Sequence, residues 1–448
     1  MEAVVNEARK RLEIALAPQK PPTLEEVLAE IGRRGVLSGS LDRVVEGYKN
    51  YVSYVTGKVL EVFKLSDREV SALQSFSHDI ITILEKVRQE SGQKLNVIKR
   101  EIDKGYIPNS VKVVEYKGHV SFYVYLRRHS AYSHFPDLLK VSRDELEMFQ
   151  IGWRASDETA IGNLAAMGTT QPWQVFAWLA ARPGEVKLEV GTLILTRRGP
   201  SLMFFLTSLD WEQKWDKSVA IKHAVKYIQQ GEYRPLLTWW LGDGSVKWSF
   251  VEKRRYKLRI AVGDEIKRAL LSEIASYAER DQRYVYIKGG KALFKSLIEA
   301  AGRYGELLEI LGPHKWLYLK TVYKPRKKRR KPTYAGGRRI KGLIDPIPGV
   351  VMNLLIVFNE GGALWATKYL PTREEAENLA TALRAYGLEP RVVKQGPGFT
   401  VYLPTSELRK IASEKVRRAI IQFLEEKLKH ATSQRHKTII ERLIKKFN

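Results

Sequence analysis

Apolar residues recur at helical spacing through the first hundred positions. Val70, Leu73, Phe76, Ile80, Ile81, Leu84 and Val87 share one helical face, as an amphipathic segment of 3.6-residue period requires. The same reading predicts helices over 24–34, 43–65 and 67–103, after a loose tail ending at Pro18, Pro21 and Pro22. Residues 1–105 are thus expected to form a helical region without chemistry of its own. From 106 to 217 an α+β segment follows, where the period falls to two. Residues 111–126 alternate around Lys117-Gly118, and 186–196 and 201–208 flank Arg198-Gly199-Pro200, which predicts two β-hairpins. A short helix over 171–182 carries Trp173, Phe176 and Trp178 at core spacing.

The segment 218–323 mixes both periods. Helical spacing over 219–241 ends in Gly242-Asp243-Gly244, and strands are expected over 245–251 and 255–262. A helix follows from the N-cap Asp264, with Ile266, Leu270, Ile274 and Tyr277 on one face, then a strand over 283–288 and a helix over 291–301. A comparable order returns over 342–448. Strands at 353–358 and 363–370 precede a helix opened by the capping box Thr372/Glu375, strands at 391–394 and 399–403, and a helix after Pro404. Between them, residues 324–341 form a basic linker with no acidic residue.

Strand alternation gives some of these positions a chemical meaning. Arg255, Lys257 and Arg259 alternate with Tyr256, Leu258 and Ile260, as Ser245, Lys247 and Ser249 do with Val246, Trp248 and Phe250. The expected result is a basic two-stranded ribbon, extended by Lys253, Arg254 and Lys288, that fits a DNA major groove and contacts phosphates and base edges. Lys368, Arg391 and Lys394 are weaker equivalents in the second sheet. Lys327, Lys328, Arg329, Arg330, Arg338 and Arg339 in the linker are placed to track a phosphate backbone.

Composition agrees. The 448 residues carry 76 Lys and Arg against 50 Asp and Glu, a net charge of +26, which repels itself unless a polyanion is near. Double-stranded DNA is the leading partner, RNA the alternative, and a membrane surface comes last. There is no apolar run of membrane-spanning length and no signal-peptide layout, so a soluble cytoplasmic protein is expected. The chain has no cysteine, which excludes disulfides, thiolate metal sites and cysteine nucleophiles. None of the eight histidines is followed by arginine three residues later, and no His-x-His pair occurs. A phosphate-binding G-x-x-x-x-G-K-[ST] loop is also absent.

The nine residues Leu236 to Gly244, ending in Leu-Gly-Asp-Gly and followed by the strand–helix order above, resemble the motif of single-chain LAGLIDADG homing endonucleases. The resemblance implies an α+β fold: an N-terminal helical region, then two αββαββα repeats related by a pseudo-twofold axis, at 218–323 and 342–448. It implies that Asp243 is a catalytic metal ligand, with Mg2+ as cofactor, in a monomeric DNA endonuclease. Lys247 or Lys288 would then polarise water or neutralise the scissile phosphate. Thr238 stands where the family has a glycine, and Trp239 and Trp240 are bulky. The expected second motif, Gly342-Leu343-Ile344-Asp345, is interrupted by Pro346, Ile347 and Pro348, and Ile347 takes the place of the second acid. One acid implies a nick, or binding of DNA or RNA on a retained saddle without cleavage. Residues 169–178 and 236–244 are also similar to the crenarchaeal paralogous-repeat (PaRep-type) proteins, which implies an archaeal, mobile-element origin.

Overall fold

The computed structural model describes residues 2–116, 119–253, 255–263, 265–278, 283–323, 342–358, 361–431 and 433–448. The fold is mixed α+β, in two compact units, Met1–Lys324 and Pro325–Asn448. Among the described residues no helix is long and apolar enough to cross a membrane.

The first unit opens with α1 (Glu2–Leu16), α2 (Leu24–Arg34), α3 (Leu41–Val62) and α4 (Asp67–Asp103). The residues expected to be a loose tail are helix α1. Its Val5, Ala8, Leu12 and Ala15 are buried, and Arg11 donates to the Leu195 carbonyl at 2.9 Å, so tertiary packing orders a segment too short to be stable alone. Capping boxes at Thr23/Glu26 and Ser66/Glu69 fix the starts of α2 and α4.

Strands β1 (Val111–Tyr116) and β2 (His119–Phe135) follow, then α5 (Arg143–Ala155), β3 (Glu158–Ile161), β4 (Leu164–Thr169), α6 (Pro172–Ala180), β5 (Gly184–Thr196) and β6 (Gly199–Glu212). These strands form one antiparallel sheet in the order β1-β2-β5-β6-β4-β3. Register shifts at Tyr125/His129, Val190/Thr192 and Leu164/Ala166 curl it. One face, with Phe122, Val124, Leu188, Phe204 and Leu206, joins the core beneath α1, α3 and α4. The other is open, with Tyr125, Tyr132 and Phe205 at its surface.

The unit closes with α7 (Lys217–Gln229), α8 (Arg234–Asp243), α9 (Trp248–Glu252), β7 (Leu258–Ala261), α10 (Glu265–Leu271), β8 (Ala275–Ala278), β9 (Tyr284–Ile287), α11 (Gly290–Leu311), α12 (His314–Leu319) and a 3₁₀ turn. The order of this small sheet is β7-β9-β8, and Gly244 bridges Ile260 on the free side of β7. Several expectations fail here. The helix over 219–241 divides, because Gly231 takes a φ of +85° and Pro235 starts a new helix. The strand over 245–251 is instead the single turn α9, whose Trp248 and Val251, three residues apart, pack against the core. The helix from 264 stops at Leu271, where Ala275–Ala278 pairs with β9 and the Lys288 amide bonds the Ile274 carbonyl. A single hydrophobic cluster runs from Val5 to Val322 through all three segments 1–105, 106–217 and 218–323.

The second unit contains β10 (Leu343–Ile347), β11 (Val350–Val357), β12 (Ala363–Leu370), α13 (Arg373–Ala385), β13 (Arg391–Gln395), β14 (Gly398–Leu403), α14 (Thr405–Lys410), α15 (Glu414–Lys429) and α16 (Gln434–Phe447). Its sheet runs β10-β11-β12-β14-β13, with a separate core built on Ile344, Met352, Leu364, Val401, Leu403, Leu424 and Leu443. The hairpins and the Thr372/Glu375 box are those the sequence predicts. The expected second motif is not a helix. Leu343–Ile347 is an antiparallel strand, since proline at 346 and 348 denies helical hydrogen bonds and exposed Leu343 and Asp345 alternate with buried Ile344.

Candidate nucleic-acid site

Helices α5 and α8 pack directly against each other. Buried apolar residues line α5 at Leu146, Phe149 and Trp153, and α8 is buried from Pro235 to Gly242. The helices run in the same direction. Arg234 meets Glu145 at their starts (2.9 Å), and the Thr238 hydroxyl donates to the Phe149 carbonyl midway (2.7 Å). A Cβ on Gly152 would lie 2.1 Å from the Thr238 Oγ1 and from the Pro235 carbonyl. At the far end a Cβ on Gly242 would lie 2.2 Å from the Ser156 Oγ. Thr238 therefore stands at the crossing with its glycine partner on the opposite helix, and Trp239 and Trp240 turn into the core.

Two aspartates leave the ends of this pair. Asp157 follows α5 as Asp243 ends α8, and Gly152 precedes Asp157 by the same five residues that separate Thr238 from Asp243. The Gln174 amide donates to the Asp157 Oδ2 at 3.0 Å. The Asp157 side chain is exposed to solvent. Desolvation raises its pKa, the ammonium of Lys315 opposes that shift, and the Asp243 carboxylate adds to it.

Lysines converge on the same place. Lys267 is ion-paired with Asp243, and its ammonium lies 5.7 Å from the Trp239 ring centroid. Lys315, buried at the start of α12, donates to the Leu241 carbonyl at 2.6 Å and to the Gly242 carbonyl. It thereby caps the negative end of α8. Burial pushes its pKa down to about 8, against the pull of Asp157 and Asp243. Lys217 donates to the Ser156 carbonyl, and desolvation lowers its pKa while Asp243 opposes.

At this centre the Asp243 carboxylate and the carbonyls of Leu241, Gly242 and Ser156 accept from ammonium groups. Among the described residues, no group of three or more His, Asp or Glu side chains could hold a metal.

The basic ribbon expected at 245–259 does not form. Arg259 is buried, donates to the Ser245 Oγ at 2.7 Å and stacks over Tyr284 at 4.3 Å. Lys247 and Lys257 lie over Phe250, at 5.3 and 5.5 Å. Lys253, Arg255 and Lys288 are exposed. In the second unit Arg391 projects from one face of the sheet, while Lys368 and Lys394 share the parity of the opposite face. Arg254, Lys327, Lys328, Arg329, Arg330, Arg338 and Arg339 lie outside the described residues. Asp157, Lys217, Lys267 and Lys315 carry no motif. The one signal in the sequence for Asp157 is the glycine five residues before it. Comparison with protein-family models, curated proteins and solved structures finds no match.

Proposed function

We propose that residues 143–311 form a saddle of LAGLIDADG type that holds double-stranded DNA, and that its centre is a lysine-neutralised one that does not cleave. The observation that carries this reading is a correspondence of strand order. Following α5 come β3, β4, α6, β5, β6 and α7, with strands ordered β5-β6-β4-β3. Following α8 come the Gly244 bridge, the single turn α9, then β7, α10, β8, β9 and α11, with strands ordered β8-β9-β7-Gly244. Each half begins with one helix of the crossing pair. On this reading the first motif spans 150–158, and the repeats are 143–229 and 234–311.

The open face of the curled six-stranded sheet is the surface for the duplex; residues 143–311 carry 25 Lys and Arg against 21 Asp and Glu, a small part of the chain's surplus of +26. Cleavage by two-metal chemistry needs ions between paired acids. Here ammonium groups hold the oxygen atoms that such ions would use. A second reading has one observation in its favour: Asp157 and Asp243 come together at the helix ends, which restores the pair of acids that homing endonucleases use.

Supercoiled plasmid incubated with the full chain and Mg2+ or Mn2+ decides between them. The proposal expects binding without nicking. Nicking that disappears in Asp157→Asn or Asp243→Asn establishes the second reading instead.

A further inference from the structure

We infer that the second unit carries a separate surface for single-stranded nucleic acid, on the face of its sheet turned away from its helices. The inference does not rest on the duplex reading of the first unit. One side of this sheet is sealed by the core of the second unit, with Met352, Leu364, Ala366, Val401 and Leu403 fully or nearly fully buried. The opposite side is open, and Leu355 and Tyr369 are about half exposed, at 49% and 53%.

One stripe crosses four strands on this open side. Leu355 on β11 is opposite Trp365 on β12. The Trp365 ring stacks on Tyr402 of β14, with centroids 4.7 Å apart and planes 25° from parallel. Tyr402 is in turn opposite Arg391 on β13. Both rings remain partly exposed. Tyr369 lies on the same face of β12, its hydroxyl over Gly398, where a Cβ would approach to 2.4 Å. The result is a partly exposed aromatic cluster, in which Trp365 and Tyr402 stack on each other, with a guanidinium at one edge.

Aromatic faces stack on unpaired bases without regard to sequence, and guanidinium groups pair with the phosphates between them. A duplex hides its base faces, so it cannot use such a cluster. Charge selects a polyanion over a protein partner: residues 325–448 carry 26 Lys and Arg against 11 Asp and Glu.

The test is fluorescence anisotropy of the full chain with labelled 12-nucleotide oligo(U) and oligo(dT), and with a 12-base-pair duplex. Trp365→Ala and Tyr369→Ala should each weaken binding of at least one single-stranded oligomer by about tenfold or more. Trp365→Phe should restore most of the loss, and duplex binding should stay unchanged in all three variants. Far-UV circular dichroism confirms that each variant is folded. Unaltered single-strand affinity in the folded variants overturns the inference. So does an equal loss for duplex, or a Trp365→Ala variant whose only change in sedimentation is from dimer to monomer, which would assign the face to self-association.

Discussion

Gly152 lies so close to Thr238 that no larger residue fits between α5 and α8: an added Cβ would sit 2.1 Å from both the Thr238 Oγ1 and the Pro235 carbonyl oxygen. One of the two contacts is backbone, so side-chain rotation cannot relieve it. Gly152→Ala should destabilise the first unit by about 2–4 kcal/mol, the range of severe overpacking. Urea unfolding followed by tryptophan fluorescence reads this. Thr238→Ser, which keeps the hydroxyl bonded to the Phe149 carbonyl, should cost less than Gly152→Ala.

The buried ion pair Glu158–Arg182 should be sensitive to loss of one partner. Glu158 accepts from Arg182 Nη2 at 2.7 Å, Arg182 Nε at 2.9 Å and Trp178 Nε1 at 2.7 Å, and both charged side chains are almost wholly buried. Glu158→Gln leaves a buried guanidinium uncompensated and should cost about 3–5 kcal/mol. The double variant Glu158→Met/Arg182→Met should lose less, by the same denaturation measurement.

Much of this architecture is legible in the sequence, and the failures share a cause. Helix α4 and the 186–208 hairpin follow from local period and turn chemistry, which neighbours do not override. The strand assigned to 245–251 had a clean alternation, yet Trp248 and Val251 find the core through one helical turn instead. The centre was half legible. Asp243 announces itself through Leu-Gly-Asp-Gly, whereas Asp157 is followed by Glu158 rather than glycine. Lys315 reaches the α8 carbonyls from 73 residues away, and no spacing rule anticipates that. Gly342–Asp345 matches the motif in letters, but Pro346 and Pro348 oppose a helix there and Leu343–Ile347 is a strand.

Lys315 should give the first unit an alkaline gain in stability. Its pKa falls from the ordinary lysine value to about 8 on folding, so between pH 8 and about 10.4 the unfolded chain binds more protons than the folded one. Stability contributed by this group therefore rises with pH across that window. Thermal unfolding of the wild type and Lys315→Met should show a difference that shifts in favour of the wild type from pH 8 to 10. A difference independent of pH would contradict the assignment.

His314 predicts the acid limb. Burial holds its imidazole neutral, with a pKa pushed down to about 3, and its Nδ1 lacks a hydrogen-bond partner. Below about pH 6.5 the unfolded state takes up a proton that the folded state refuses, so stability falls on acidification towards pH 3. His314→Gln should flatten this limb in a pH series of unfolding midpoints.

The absence of cysteine makes the central claim directly measurable, because a single introduced thiol can carry a photo-crosslinker. Tyr132→Cys and Phe205→Cys place it on the open face of the β1–β6 sheet, and Val97→Cys places it on α4, which packs against β2; all three positions are exposed. Crosslinking of each full-length variant to duplex DNA reads which side faces the nucleic acid. The account predicts adducts from positions 132 and 205 and few from 97. Adducts formed equally well from position 97, or from it alone, would contradict a duplex held on the open face.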